Sequence, residues 1–155
     1  MFENAFEIGC SEGVFTEMLA PRCKSLLAVD VSKRALQRAG ERCAGTNVTF
    51  RQWNLIAEPA PSDMDLVIVM DVLEIFYCRS DIRKAREKVV NAVKPGGYVL
   101  VGNSRQNELY ENAHWAKWML KGGKRIAEYF AEHPRLALVS TETEGLFINA
   151  LFRAK

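Results

Sequence analysis

Several residues with chemistry to offer stand where apolar runs end. Phe6-Glu7-Ile8-Gly9-Cys10-Ser11-Glu12-Gly13 carries an acid inside an apolar run and then two glycines four apart. Asp30 closes Ser25-Leu26-Leu27-Ala28-Val29, Asn54 follows Val48 to Trp53, and Asp71 follows Asp65 to Met70. Glycines at a strand-to-helix junction let a ligand approach the backbone, because no Cβ intervenes. The free N–H groups at the start of the following helix favour polar or anionic ligand groups. Glu7 needs a cationic partner or hydrogen bonds if buried; an ammonium or sulfonium ligand would supply one, and a neighbouring arginine is the alternative. Asp30 follows Gly9 by roughly the ~20 residues at which an acid reaches ribose hydroxyls in dinucleotide folds. Its other reading is an N-cap for the next helix. Asn54 could accept from an adenine amino group or cap a turn.

Composition narrows the class. A chain of 155 residues with 48% hydrophobic content implies one domain, residues 1–155, with a sizeable core. A net charge of +2 gives no argument for nucleic acid or an anionic membrane as partner. No apolar run approaches the ~20 residues that span a bilayer, and no signal peptide is recognisable. Cys10, Cys23, Cys43 and Cys78 form no Cys-x-x-Cys pair and lack histidines at zinc-finger spacing, so no metal site is expected. They read as reduced thiols of a cytoplasmic protein.

The elements that must position these residues follow from periodicity. A first strand spans Ala5 to Ile8, and a helix runs from about Glu12 to Ala20 with Val14, Phe15, Met18 and Leu19 inward, ended by Pro21. Ser25–Asp30 is a strand buried on both faces. Ser32 caps a helix from Lys33 to about Ala44, whose apolar face is Ala35, Leu36, Ala39 and Cys43. Val48–Trp53 alternates as a strand, Asp65–Met70 is another, and Ser80 or Asp81 caps a helix through Val93. Lys94-Pro95-Gly96-Gly97 is a sharp break before the strand Tyr98–Val101. Asn103 to about His133 reads as two short helices broken at Gly122-Gly123. Leu136–Thr143 and Leu146–Arg153 close the chain as a hairpin turning at Glu144-Gly145.

Alternating strands and helices predict an α/β fold: a Rossmann-like three-layer sandwich with a mostly parallel sheet of about seven strands and an antiparallel C-terminal hairpin. Right-handed crossovers place the strand C-termini, and with them Gly9, Asp30, Asn54 and Asp71, on one edge, where such sheets bind ligands.

Taken together, Glu7-x-Gly9-x-x-x-Gly13, Asp30, Asp65-Leu-Val-Ile-Val-Met-Asp71-Val-Leu and Lys94-Pro95-Gly96-Gly97-Tyr-Val-Leu resemble class I S-adenosylmethionine-dependent methyltransferases, over Phe2 to about Arg105. The first and fourth strands, with Asn103-Ser104-Arg105 after the fifth, further resemble the nodulation protein S group, which N-methylates an amino-sugar oligosaccharide. The resemblance implies S-adenosyl-L-methionine as cofactor. It places Glu7 and Gly9 near the methionine moiety, Asp30 on the ribose, Asn54 near the adenine and Met70-Asp71 beside the cofactor, with Cys10, Gly13, Val31 and Leu55 completing the set. A small-molecule methyl acceptor, such as an amino-sugar amine, is then the partner.

Two departures stand out. The adenine position is commonly Asp, where this chain has Asn54. The family usually has one or two helices ahead of the first strand, and the expectation is that an upstream segment or a partner domain covers the cofactor here. Methyl transfer chiefly requires alignment, which contributes about 7–11 kcal/mol. An amine must arrive unprotonated, so His114, Asp71 or Glu74 could act as base. The unperturbed pKa of a histidine side chain, ~6.5, suits such a role near neutral pH, and His114 stands beside Trp115 in the segment after the fifth strand. Trp115, Trp118, Tyr110 and Tyr129 could wall the acceptor site or simply pack in the core. The competing class, a nicotinamide-dependent oxidoreductase, calls for Gly-x-Gly-x-x-Gly, which is missing. A non-catalytic S-adenosylmethionine-binding domain is the remaining alternative.

Overall fold

Short apolar runs separated by amphipathic stretches cannot bury themselves alone, and here they assemble into one sheet flanked by helices. The computed structural model describes residues 1–76, 78–104 and 122–155. Its strands are β1 (Phe2–Ile8), β2 (Cys23–Asp30), β3 (Val48–Gln52), β4 (Met64–Met70), β5 (Val93–Ser104), β6 (Leu136–Glu144) and β7 (Phe147–Ala154). The described helices are α1 (Val14–Leu19), α2 (Lys33–Arg42), α3 (Arg79–Ala92) and α4 (Gly123–Ala131), with 3-10 turns at Ala20–Arg22 and Leu73–Ile75. The strand order is β3-β2-β1-β4-β5-β7-β6. β1 to β5 pair in parallel, whereas β7 runs antiparallel to both β5 and β6.

Period-two alternation sends the two halves of each central strand to opposite layers. Phe6, Ile8, Val67, Val69, Val99 and Val101 pack with Ile126 and Phe130 of α4 and Val89 of α3. Ala5, Leu26, Leu66 and Ile68 pack with Leu19 on the other side. Each large side chain buried this way contributes about 1.5–3 kcal/mol. On α3, Ile82, Ala85, Val89 and Ala92 are all buried, as the sequence periodicity requires.

Four local expectations need correction. Of the four residues assigned to the inward side of α1, Val14 and Met18 are 58% and 61% exposed, while Leu19 is buried. The helix has only six residues, and Thr16 and Leu19, three apart, face the sheet instead. Ser80 and Asp81 do not cap α3: they fall inside its first turn, where the Cys78 carbonyl accepts from Asp81 and Ile82 N–H (3.1 and 3.2 Å). Lys94-Pro95-Gly96-Gly97 does not precede β5 but interrupts it, Val93 pairing with Met64 before Tyr98 pairs with Leu66. Gly96 at φ +79° lets the backbone make that detour. The closing turn lies at Gly145-Leu146, one residue later than expected. Gly122 precedes α4 at φ +93°, in agreement with the break expected there. The helix expected before it falls outside the described residues.

Candidate active site

Parallel pairing brings the loops after β1, β2, β3 and β4 to one edge, and hydrogen bonds tie the first two together. Gly9 and Cys10 donate their N–H groups to the Val29 carbonyl at 2.8 and 3.0 Å. Gly9 adopts φ +79°, and a β-carbon there would overlap the Val72 side chain. Only glycine meets both demands without strain. The Asp30 carboxylate accepts from Ser11 N–H through Oδ2 (3.0 Å) and from Ser32 N–H through Oδ1 (2.8 Å). It is therefore not the cap of α2; Ser32 is, its Oγ accepting from Ala35 N–H at 3.2 Å. Each carboxylate oxygen carries two lone pairs, so Asp30 keeps acceptor capacity for ligand hydroxyls.

These loops enclose a cleft of about 930 Å³, within the size range of small-molecule and cofactor sites. Glu7, Gly9, Cys10, Asp30, Val31, Asn54, Leu55, Met70 and Asp71 all line it. Glu7 is its least usual member. The residue is 3% exposed and its Oε2 has no hydrogen-bond partner among the described residues. Burial raises its carboxyl to about pH 7, offset slightly by the Thr16 hydroxyl opposite. That hydroxyl completes no hydrogen bond among the described residues either, so the Glu7 Oε2 is left at the cleft without a partner there. The arginine partner weighed for Glu7 is absent among the described residues. Burial, reinforced by the charges of Glu7 and Asp30, pushes the Cys10 thiol up to about 12. It is no nucleophile at neutral pH.

Asn54 is exposed at the cleft, and its Oδ1 accepts from Ile56 and Ala57 N–H at 2.9 and 3.0 Å. The turn-capping use of its oxygen is thus present. Trp53, buried beneath it, donates Nε1–H to the Pro59 carbonyl at 3.1 Å and meets Phe6 edge-on, so its ring forms a fixed wall. Asp71 adopts φ +52°, donates its N–H to the Gly102 carbonyl (2.8 Å) and accepts from Ser104 N–H through Oδ1 (2.8 Å). The loop after β4 is thereby tied to the end of β5.

Gly13 does not line the cleft. Its missing side chain serves packing, since a β-carbon there would sit 3.0 Å from Ala39 of α2. Tyr129 belongs to the α3–α4 layer, with the Arg86 guanidinium 3.9 Å above its ring. Glu74 lies in the turn after β4 but outside the lining. His114, Tyr110, Trp115 and Trp118 lie outside the described residues. Besides Ile8, Glu12, Val14, Phe15, Val29 and Trp53, which adjoin assigned positions or were assigned to packing, sequence reasoning missed Ser11, Val72, Ile75 and Phe76 as lining residues. The first is flagged only by its place between Gly9 and Gly13. The others follow Asp71 in a stretch whose periodicity is too short to assign.

Among the described residues no His, Cys, Asp and Glu grouping could hold a metal ion, and no helix is long and apolar enough to cross a membrane.

A seven-stranded sheet with one antiparallel strand inserted next to β5, and a glycine-bearing cleft at its parallel edge, is the Rossmann-like fold of class I methyltransferases. A family model for nodulation protein S matches residues 2–135, and the chain belongs to that family. Nodulation protein S of Rhizobium tropici is 33% identical over 105 residues, covering 66% of this chain and 43% of that protein. Ubiquinone biosynthesis O-methyltransferase of Methylococcus capsulatus is 32% identical over 100 residues, covering 62% of this chain and 41% of its own length. The solved structure of the N-methyltransferase NodS from Bradyrhizobium japonicum WM9, in complex with S-adenosyl-L-homocysteine, superposes with a TM-score of 0.84 at 27% identity. The superposition covers 99% of this chain and 78% of that one. The chain spans about half the length of the curated relatives it matches.

Proposed function

We propose that the chain is the cofactor-binding and catalytic domain of an S-adenosylmethionine-dependent methyltransferase acting on a small-molecule amine, in the manner of N-methylation of an amino sugar. The observation that carries the reading is the buried Glu7 carboxyl, whose Oε2 has no hydrogen-bond partner among the described residues, at a cleft whose described lining offers no cationic side chain. Such a group is costly without a counter-charge, and a ligand bearing an ammonium and a sulfonium answers it. S-adenosylmethionine, when bound, supplies a methyl group already activated on sulfur. Glu7 would hold its amino-acid end, Asp30 its ribose hydroxyls, and Asn54 with Leu55 its adenine. Gly9, Cys10 and Val31 form the floor, and Met70-Asp71 flank the reacting end.

The protein's remaining task is to present the acceptor without its extra proton. Asp71, at the mouth of the cleft, and His114 are assigned to steering and accepting that proton. An upstream segment or partner domain is assigned to covering the cleft.

Calorimetry with S-adenosylhomocysteine and, in parallel, NADH tests the cofactor. The former should bind and raise Tm; stabilisation by NADH alone would overturn the reading. Methyl transfer assayed on a glucosamine oligomer and on a catechol then tests the acceptor class, and turnover confined to the catechol would replace N- by O-transfer. His114→Gln should lower turnover and remove an acidic-limb pKa while leaving S-adenosylhomocysteine affinity unchanged. An unaltered pH profile would remove His114 from the mechanism.

A further inference from the structure

One acceptor atom stands in line with the cleft and has no hydrogen-bond partner among the described residues. Strand register aligns Met70 of β4 with Gly102 of β5, and Gly102 with Asn149 of β7. Residues paired across neighbouring strands point to the same face. Gly102 has no side chain, and its two neighbours lean across the space it leaves. A β-carbon there would fall 2.5 Å from Asn149 Oδ1 and would overlap the Sδ and Cε of Met70. Met70 itself lines the cleft. The side chain of Asn149 thus begins where the cleft wall ends, on the side away from Asp30 and Asn54.

Asn149 Oδ1 is buried and has no hydrogen-bond partner among the described residues. A buried amide oxygen without a donor destabilises the fold, and a leucine of similar shape would avoid that cost. β7 shows no pattern that calls for an amide here: the residues on the same face, Phe147 and Leu151, are apolar. The tip of Met70, the most adaptable of apolar side chains, shares with this oxygen the space that Gly102 leaves.

We infer that Asn149 is an acceptor-binding residue, whose amide oxygen accepts a hydrogen bond from the N–H or O–H of the methyl acceptor when the tip of Met70 moves aside. The inference rests on the methyltransferase reading above. An amide oxygen accepts a hydrogen bond but takes no proton, so Asn149 orients the nucleophile and leaves deprotonation to other groups. Holding the acceptor by its own hydrogen turns the nitrogen lone pair away from Asn149 and toward the Met70 side of the cleft. It also selects nucleophiles that retain a hydrogen, and so favours primary and secondary amines over tertiary ones.

The test compares the chain with its Asn149→Leu and Asn149→Asp variants. The former keeps the shape and loses the acceptor atom; the latter keeps both. Three quantities are read: Tm without ligand, S-adenosylhomocysteine affinity, and KM for a β-1,4-linked glucosamine tetramer. Asn149→Leu should hold or raise Tm, leave S-adenosylhomocysteine affinity unchanged and raise KM about tenfold or more, the loss of one hydrogen bond to a buried group. Asn149→Asp should keep KM near that of the unsubstituted chain. A lower Tm for Asn149→Leu, or an unchanged KM, overturns the inference. Failure of the unsubstituted chain to bind S-adenosylhomocysteine strikes the cofactor reading instead. The Tm comparison still decides the case for Asn149, because an orphan atom kept for a ligand and one used by the fold shift Tm in opposite directions.

Discussion

The edge of the sheet where the cleft opens has two halves built on opposite terms. Around β1 and β2 the loops hold one another: Gly9, Cys10, Ser11 and Ser32 all donate backbone N–H groups to Val29 or Asp30. The geometry there is fixed before any ligand arrives, apart from the unsatisfied Glu7. Around β4, β5 and β7 the polar groups are looser. Among the described residues Asp71 is tied only to the end of β5 and Asn149 Oδ1 has no hydrogen-bond partner, and a flexible methionine shares with that oxygen the space beside Gly102. On the proposed function, a rigid half suits the cofactor, and an adaptable half suits an acceptor that differs between relatives such as the N-methyltransferase NodS and the ubiquinone biosynthesis O-methyltransferase.

The sharpest way to break this comparison is to insert one methyl group in each half. Gly9→Ala must adopt positive φ, costing about 1–2 kcal/mol, and must also displace the stiff Val72 side chain, an overpacking cost of about 1–3 kcal/mol. A loss of roughly 2–5 kcal/mol in urea denaturation is expected, together with loss of S-adenosylhomocysteine binding. A stable, ligand-binding Gly9→Ala variant would show that the rigid half is not rigid.

Glu7 supplies the next largest effect. Its carboxyl ionises near 4.5 unfolded and about 7 folded, so the native state binds the extra proton between those values. Stability is therefore fully present below about pH 4.5 and falls as pH rises to about 7, by about 3 kcal/mol in all. Glu7→Gln should flatten that slope and be the more stable protein at pH 8, while binding S-adenosylhomocysteine less well. Parallel stability–pH curves for the two proteins would mean that Glu7 has a counter-charge without any ligand.

Asp30→Ala removes a charged acceptor from two backbone N–H groups, and should cost about 1.5–3 kcal/mol in both stability and S-adenosylhomocysteine affinity. If only stability falls, Asp30 is a loop tie and no more. The smallest effect belongs to the adaptable half. In Gly102→Ala the new methyl meets the movable ends of the Met70 and Asn149 side chains, so a stability loss of about 1 kcal/mol is expected, with S-adenosylhomocysteine affinity unchanged and acceptor KM raised. A loss as large as that of Gly9→Ala would erase the distinction between the halves.

Much of this was legible in the residues. Buried parallel strands are continuous apolar runs, so Asp65–Met70 and Ser25–Asp30 declare themselves, and strand ends marked by Gly9, Asp30, Asn54 and Asp71 fall together once the sheet is parallel. The Ser32 cap is equally local: one hydroxyl and one N–H three residues on. The face of α1 was not legible. Val14, Phe15, Met18 and Leu19 form two overlapping stripes on a six-residue helix, and only its docking angle on the sheet decides which one is buried. The part of Gly13 is likewise a tertiary fact, because Ala39 lies on another helix.

Asn149 marks the division most clearly. In sequence it is one polar residue in Phe147-Ile148-Asn149-Ala150-Leu151, with no motif around it. Its place beside Gly102 and Met70 depends on the antiparallel register of β7 against β5, a pairing between segments about a third of the chain apart. Sequence patterning determined which residues are buried and where strands end, because those are properties of a segment and its own periodicity. Which side chains from different segments face one another across a missing Cβ was decided only by the register of the folded sheet.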